Sequence, residues 1–298
     1  MLIYFLPKIL LFLSFLNFLS AKPSGGQWKQ IVYTDGLSSN YIFDAEKDSY
    51  GRLWIGSQNG ITLMDGYNTT RYGVDNGLPA TDIIKIIDFN GKIYAATSNQ
   101  GIYVFNGESF ERSKIVKGNE VYAISKINSG LFISTNLENV THEGGDSRFM
   151  GKGFPKVKII DVFSDGSKDW FVAEDRIIRT ILNGFDTEKI KFSKNNTRIQ
   201  SFMIDGDFEY IGTNQGLWRR KNNGELVLIK NVNVLCIART ELGEIIAGTK
   251  KGLFSLKSGK FINYKPIGEK NKTLNETPIY DIEVISANEI WYSTFGMG

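Results

Sequence analysis

The chain has 298 residues, with 35 Lys and Arg against 32 Asp and Glu, one His, one Cys, 31 Gly and 6 Pro. Apolar content of 42% and charged content of 22% exclude a disordered chain and a multi-span membrane protein. A net charge of +3 excludes a strongly basic nucleic-acid-binding surface, the single Cys excludes a disulfide framework or Cys-based zinc site, and the single His excludes a His-rich metal site.

Residues 1–21 read as an apolar stretch with one basic residue, Lys8, ending in small residues before Lys22-Pro23. The apolar run Ile9 to Phe18 has the length of a secretory signal-peptide core. An uncleaved membrane anchor is the alternative, but Pro7 and Lys8 interrupt the longer run that it would need. No Cys follows the run, which argues against a lipid anchor. An exported chain without disulfides points to a bacterial periplasm or surface. Residues 22–298 are left as the folded domain.

That domain is one unit written seven times. An aromatic or apolar anchor followed by small residues stands at Trp54, Tyr94, Phe132, Trp170, Tyr210, Ile246 and Trp291, at spacings of 36–45 residues. Clear copies read Leu53-Trp54-Ile55-Gly56-Ser57 and Tyr210-Ile211-Gly212-Thr213. Shortly before the anchors come turn residues: Gly51, Gly91, Gly130, Gly166, Gly206, Gly243 and Asn288. A second turn follows at Gly60, Gly101, Gly216 and Gly252, with Asn139 and Arg176 in weaker copies. A third follows at Asp65-Gly66, Asn106-Gly107, Gly144-Gly145, Asn183-Gly184, Asn223-Gly224 and Ser258-Gly259. Three turns divide each unit into four strands, and the runs between them are rich in β-branched and aromatic residues, as in Asp82 to Ile87. No segment after residue 21 sustains a capped helical period.

Seven four-stranded antiparallel units specify an all-β fold, a seven-bladed β-propeller, because an open solenoid would need polar terminal caps that the chain lacks. The chain ends at Gly298, after the second strand of unit seven, so the last blade is expected to be incomplete. Gln27 to Tyr33 reads as an outer strand without a blade of its own, and pairing it with unit seven would complete that blade in part. A missing third strand suggests a sequence truncated relative to a longer protein.

Asp35-Gly36-Leu37-Ser38-Ser39-Asn40, followed by Asp48-Ser49-Tyr50-Gly51-Arg52-Leu53-Trp54-Ile55-Gly56-Ser57 and Asn59-Gly60-Ile61, resembles the repeat of the two-component-regulator propeller family. Asp75-Asn76-Gly77-Leu78 opens a second copy, and the resemblance covers residues 27–298. It implies the periplasmic sensor region of a bacterial hybrid sensor, with a histidine kinase output module in cis or trans and no catalysis in this region. It further implies a small-molecule or glycan ligand, no nucleic acid, and membrane contact only through the leader or a missing C-terminal span.

Counting back from the anchors gives the start of each innermost strand: Asn40, Asp82, Glu120, Lys158, Arg198, Asn233 and Tyr280. Six are polar or charged, and as a ring at a channel mouth they could hydrogen-bond a sugar or a small polyanion. The competing reading is that they are solvated loop residues. Asp48, Asp88, Asp165, Asp205 and Asp207 invite a calcium assignment, but their spacing lacks the remaining ligands of a calcium loop and suits hairpin turns better. Cys236, within Val234 to Ala238, reads as an inert core thiol, and His142 as a surface residue in a turn-rich stretch. Neither a metal nor a cofactor is expected. Streptogramin B lyase shares the seven-bladed architecture, but one His outside an innermost strand meets poorly the need for a positioned base. A protein-interaction platform is the third reading.

Overall fold

The structure, a computed structural model, describes residues 29–296 apart from 67, 144–145, 150–153, 183, 222–223, 258–259, 265–275 and 288. The expected leader, Gln27 and Trp28, and the turn residues Gly144, Gly145, Asn183, Asn223, Ser258, Gly259 and Asn288 lie outside the described residues. The first sheet comprises β1 (Ile42–Lys47), β2 (Leu53–Ser57), β3 (Gly60–Asp65) and β4 (Asn68–Tyr72). The second comprises β5 (Ile83–Phe89), β6 (Lys92–Thr97), β7 (Ile102–Phe105) and β8 (Phe110–Arg112). The third holds β9 (Val121–Ile127), β10 (Gly130–Thr135), β11 (Asn139–Glu143) and β12 (Asp146–Phe149). In the fourth are β13 (Asp161–Ser164), β14 (Asp169–Val172), β15 (Arg176–Ile181) and β16 (Gly184–Lys189). The fifth has β17 (Ile199–Asp205), β18 (Phe208–Thr213), β19 (Gly216–Lys221) and β20 (Val227–Lys230). The sixth has β21 (Val234–Arg239), β22 (Ile245–Thr249), β23 (Gly252–Lys257) and β24 (Lys260–Asn263), and the seventh β25 (Ile279–Ser286) and β26 (Glu289–Thr294).

Each four-stranded sheet is an antiparallel meander in sequence order. All seven anchors fall on second strands, and Trp54, Phe132 and Ile246 are fully buried. The turns between first and second strands carry Gly51, Gly91, Gly130, Gly166, Gly206 and Gly243 at φ between +56° and +127°, where side chains other than hydrogen are strained. Asp48 shows how one carboxylate sets such a hairpin. Its Oδ1 accepts from the backbone N–H groups of Tyr50 and Arg52, and its Oδ2 accepts from Arg52 Nε at 2.7 Å and Trp54 Nε1 at 2.8 Å. The turn and the core tryptophan therefore share one acceptor, which fixes the ring's orientation.

The Asp-Gly-Leu motif works at the linkers between sheets. Tyr33–Asp35 and Val74–Asn76 are single 3-10 turns closed by Gly36 (φ +115°) and Gly77 (φ +86°). A Cβ on Gly77 would stand 2.1 Å from the Phe110 carbonyl oxygen, so any larger residue collides. The leucines that follow, Leu37 and Leu78, are 2% exposed and drive into the apolar layers between sheets. At the end of the second strands, the hydroxyls of Ser57, Thr97, Thr213 and Thr249 donate to the carbonyls of Gly60, Gly101, Gly216 and Gly252 at 2.7–2.9 Å. Those buried donors tie the second and third strands together at the same point in four sheets.

The sheets form a closed ring. First strands pack in order β1, β5, β9, β13, β17, β21, β25, and β25 packs back onto β1. Each of the seven sheet-to-sheet interfaces has its own apolar cluster, from Trp54, Ile83 and Phe110 between sheets one and two to Ile246, Ile279 and Ile282 between six and seven. At the seam between sheets seven and one, the strand expected over Gln27 to Tyr33 is not formed over its described part, residues 29–33. Among the described residues β26 pairs only with β25, residues 29–32 carry no strand, and Tyr33 begins a 3-10 turn. Ile31 instead joins Leu37, Ile42, Leu53 and Ile55 in the seam cluster against Trp291. The linker motif that follows Ile31 turns the chain into β1. The seam is further held by a Tyr41 to Phe295 bridge and a Lys47 to Glu289 ion pair at 3.5 Å.

Candidate functional site

Because first strands run side by side around the ring, their starts lie on one face, the mouth face. The turns carrying Gly51 and its counterparts lie on the opposite face. Asn40, Asp82, Glu120, Arg198 and Asn233 each immediately precede or nearly precede a first strand, Lys158 stands three residues before β13, and Tyr280 is the second residue of β25. The backbone carbonyls of Asp82, Glu120, Arg198 and Asn233 accept from Ser98, Asn136, Asn214 and Lys250 N–H at 3.0–3.1 Å, so these starts are pinned to the second-to-third strand turns.

The side chains fall into pairs. Glu120 and Lys158 meet through Tyr122, whose hydroxyl donates to Glu120 Oε2 at 3.1 Å and whose ring lies 4.1 Å from the Lys158 ammonium. Asn40 and Tyr280 both border the seam: the Asn40 carbonyl accepts from Gly296 N–H, and the Tyr280 ring lies 5.9 Å from Phe295 and from Phe43. The Asn40 side chain is engaged structurally, its Oδ1 accepting from Tyr33 N–H at 2.6 Å. Arg198 makes a long ion pair with Glu174 at 3.8 Å, and Asn233 Oδ1 is buried without a hydrogen-bond partner. Among the described residues, no hydrogen bond or ring contact joins Asp82, Arg198 or Asn233 to another of the seven.

Two further groups stand out. At the seam, Tyr41 and Phe295 are 38% and 46% exposed with ring centroids 4.5 Å apart, making an aromatic platform with Phe43 and Tyr280 on the mouth face. Deeper in the channel, Asp44, Lys85 and Asp281, the third residues of β1, β5 and β25, form a charged belt with Asp161, the first residue of β13. Lys85 Nζ lies 2.5 Å from Asp44 Oδ1 and 3.6 Å from Asp281 Oδ1. Asp44 Oδ2 accepts from Ile86 N–H at 2.6 Å, and Asp161 Oδ2 accepts from Phe202 N–H at 3.0 Å. Each of these two carboxylates therefore caps the free backbone edge of the next sheet's inner strand. Asp281 Oδ2 is buried without a hydrogen-bond partner. Below the belt Glu46 accepts from Lys126 Nζ and from Asp88 N–H, both at 3.1 Å.

Acids outnumber cations here, and burial makes that costly. Burial pushes the Asp44 carboxyl upward, and Asp281 adds to it, against the pull of Lys85 and the Ile86 N–H. Burial lifts Asp161 to about 6 despite its two backbone hydrogen bonds, and burial with the nearby Glu46 and Asp281 charges lifts Glu283 to about 7. Burial opposes the charge on Lys85, but the Asp281 and Asp44 carboxylates outweigh it, so the lysine stays an ammonium.

The aspartates of the turns behave as turn residues. Asp165 Oδ1 accepts from Ser167 and Lys168 N–H, Asp88 Oδ2 from Ser49 N–H, and Asp205 and Asp207 pair with Arg239 and Lys221. Among the described residues, no group of three or more His, Cys, Asp or Glu is placed to hold a metal. Cys236 lies at hydrogen-bond distance for sulfur, 3.8 Å, from the Ile279 carbonyl, and burial pushes its thiol well up, which keeps it unreactive. The surface placement expected for His142 is corrected. It is 8% exposed within β11, paired between Leu131 and Ser147, because the turn-rich sequence around it continues a third strand of the sheet. That strand lies outside the channel.

The closed ring of antiparallel sheets defines a β-propeller. The extracellular domain of a one component system, BT4673, from B. thetaiotaomicron superposes with a TM-score of 0.75 at 20% identity, over 92% of this chain and 39% of that one. Virginiamycin B lyase from Staphylococcus aureus superposes with a TM-score of 0.67 at 13% identity, over 90% of this chain and 96% of that one. Residues 36–59 match the family model described as two component regulator propeller. A 54-residue stretch is 35% identical to histidine kinase P4 of Formosa agariphila, covering 18% of this chain and 4% of that protein. The family match covers 24 of the 298 residues, all within the first sheet and the linker before it. It spans about two fifths of the B. thetaiotaomicron domain and a small fraction of the Formosa kinase.

Proposed function

We propose that the chain is an exported, non-catalytic, ligand-reading propeller of a bacterial two-component signalling system, acting in the periplasm and passing its state to a histidine kinase module in cis or trans. The observation that carries this reading is the closed ring with seven strand starts on one face, bordered by the exposed aromatic platform of Tyr41 and Phe295. A concave mouth with convergent polar groups and aromatic surface is the usual setting for a small ligand. Extracellular sensor domains share the architecture, which supports the same reading. The channel acids lack a nucleophile paired with a base, and the one His is remote from them, which weighs against the lyase alternative.

A thermal-shift screen of residues 22–298 against glycans, organic acids and divalent metals tests it, since a ligand that binds only the folded state raises the midpoint. A concentration-dependent rise is expected, reduced by more than half in Asp82→Ala and Arg198→Ala. The Arg198 side chain is not needed for folding, because its ion pair is exposed and worth at most about 1 kcal/mol. A folded protein that no compound class shifts would overturn the ligand-reading proposal and favour a protein-docking platform.

A further inference from the structure

A cleft of about 650 Å³ opens on the mouth face between the third and fourth sheets, away from the ring axis. Its floor is apolar and fixed: Phe154 packs against Phe171 and Phe185 with ring centroids 5.1 and 4.9 Å apart. Leu137, 68% exposed, stands on its wall. The polar groups around it are unequal in what they have left to offer. Glu138 Oε1 is taken by Lys117 N–H at 2.7 Å, and Glu120 Oε2 by the Tyr122 hydroxyl. Asn136 Oδ1 accepts from Asn119 and Glu120 N–H, which turns its amide nitrogen into the group still able to donate.

Lys156 and Lys158 both line the cleft, and neither has a carboxylate within ion-pair distance among the described residues. Lys158 is held over the Tyr122 ring, and that ring is held by its bond to Glu120, so the ammonium is positioned before any ligand arrives. Donors without acceptors above an apolar floor call for a ligand that brings an anionic acceptor on a flat, weakly polar body. The volume falls in the range of small-ligand pockets.

We propose that this cleft binds a small ring compound carrying a carboxylate, with the acid group between Lys156 and Lys158 and the ring over Phe154 and Leu137. The proposal rests on the reading of the chain as a ligand-binding propeller and adds a second set of contacts on the same face, off the channel axis. Sugar acids and aromatic acids share this chemistry, so both are used as probes: glucuronate and phenylacetate, each beside its neutral counterpart, glucose and benzyl alcohol.

Titration of the full chain by calorimetry and by chemical-shift perturbation gives the test. At least one acid is expected to bind, with affinity falling as salt is raised, and about fivefold more weakly in each of Lys156→Gln and Lys158→Gln, the size of one exposed charge contact. Both lysines are exposed, so the variants fold. The ring that binds tells a sugar source from an aromatic one. Equal binding of the neutral counterpart, unchanged binding in both lysine variants, or no binding of either acid at about 10 mM would overturn the proposal. A screen ligand weakened by Asp82→Ala and Arg198→Ala but untouched by the lysine variants would overturn the cleft while leaving the sensor reading in place.

Discussion

Replacing Trp54 with alanine is expected to lower the unfolding free energy by about 4 kcal/mol, the middle of the range for deleting a buried aromatic. The ring is fully buried and sits among Tyr72, Phe105 and Phe110 at centroid distances of 5.0–6.1 Å, with contributions from both sheets one and two. Its loss opens a cavity in the first interface and also removes the Nε1 donor to Asp48, loosening the hairpin that ends at Arg52. Urea unfolding with the slope unchanged checks the value, and Trp54→Phe, which keeps most of the volume, is expected to cost about half as much. Trp291→Ala is the control: that side chain is only partly buried against the seam cluster, and a loss of about 1–2 kcal/mol is expected. A Trp54→Ala loss below about 1 kcal/mol would contradict the packing described for this interface.

The second large effect concerns Lys85. Removing one partner of a fully buried ion pair costs about 3–5 kcal/mol, and since 37% of this side chain is open to the channel, Lys85→Met is expected to cost about 2 kcal/mol at pH 8. The sign of its pH dependence follows from the belt. Asp161, near 6, and Glu283, near 7, are raised above their unfolded values, so the native state holds more protons than the unfolded chain between about pH 4 and pH 7. Stability is therefore expected to fall as pH rises through that interval. Asp48, Asp165, Asp175 and Glu188 are shifted down, so their contribution is present above the usual carboxylate range and is lost only in stronger acid. Midpoints measured from pH 5 to pH 8 are expected to decline, with Asp161→Asn flattening the slope and Lys85→Met steepening it. A midpoint that rises across this interval would contradict the electrostatics assigned to the channel.

What the sequence made legible was local. Trp54, Tyr94 and their counterparts fall on second strands because a strand anchor and its flanking turns are written within a few residues, and Gly51 and its equivalents take the positive φ that a tight hairpin demands. The same locality explains the failures. His142 sits near Gly144 and Gly145 and reads as a turn, but the strand pairing that buries it comes from β10 and β12. Gln27 to Tyr33 has the composition of a strand, whereas the Asp35 carboxylate accepting from Val32 N–H commits the chain to a 3-10 turn that starts at Tyr33. The charged belt is invisible locally because Asp44, Lys85, Asp161 and Asp281 lie roughly one or more repeats apart and meet only when the ring closes. Along β1, Asp44 and Glu46 look like the solvent side of an alternating strand; in the ring that side faces the axis. The seven strand starts were found by counting back from the anchors, yet which side chains remain free to bind could not be counted, as the engagement of Asn40 by Tyr33 illustrates.

Hydrogen exchange on the full chain, with and without the compound that raises the midpoint in the screen, tests most directly the claim that the mouth face reads a ligand. Slowed exchange is predicted in the strand starts and linkers on that face, residues 38–42, 79–84, 117–122, 154–160 and 194–200, with the turns at 48–52, 89–92, 165–168 and 240–244 unchanged. Protection confined to those turns on the opposite face would contradict it.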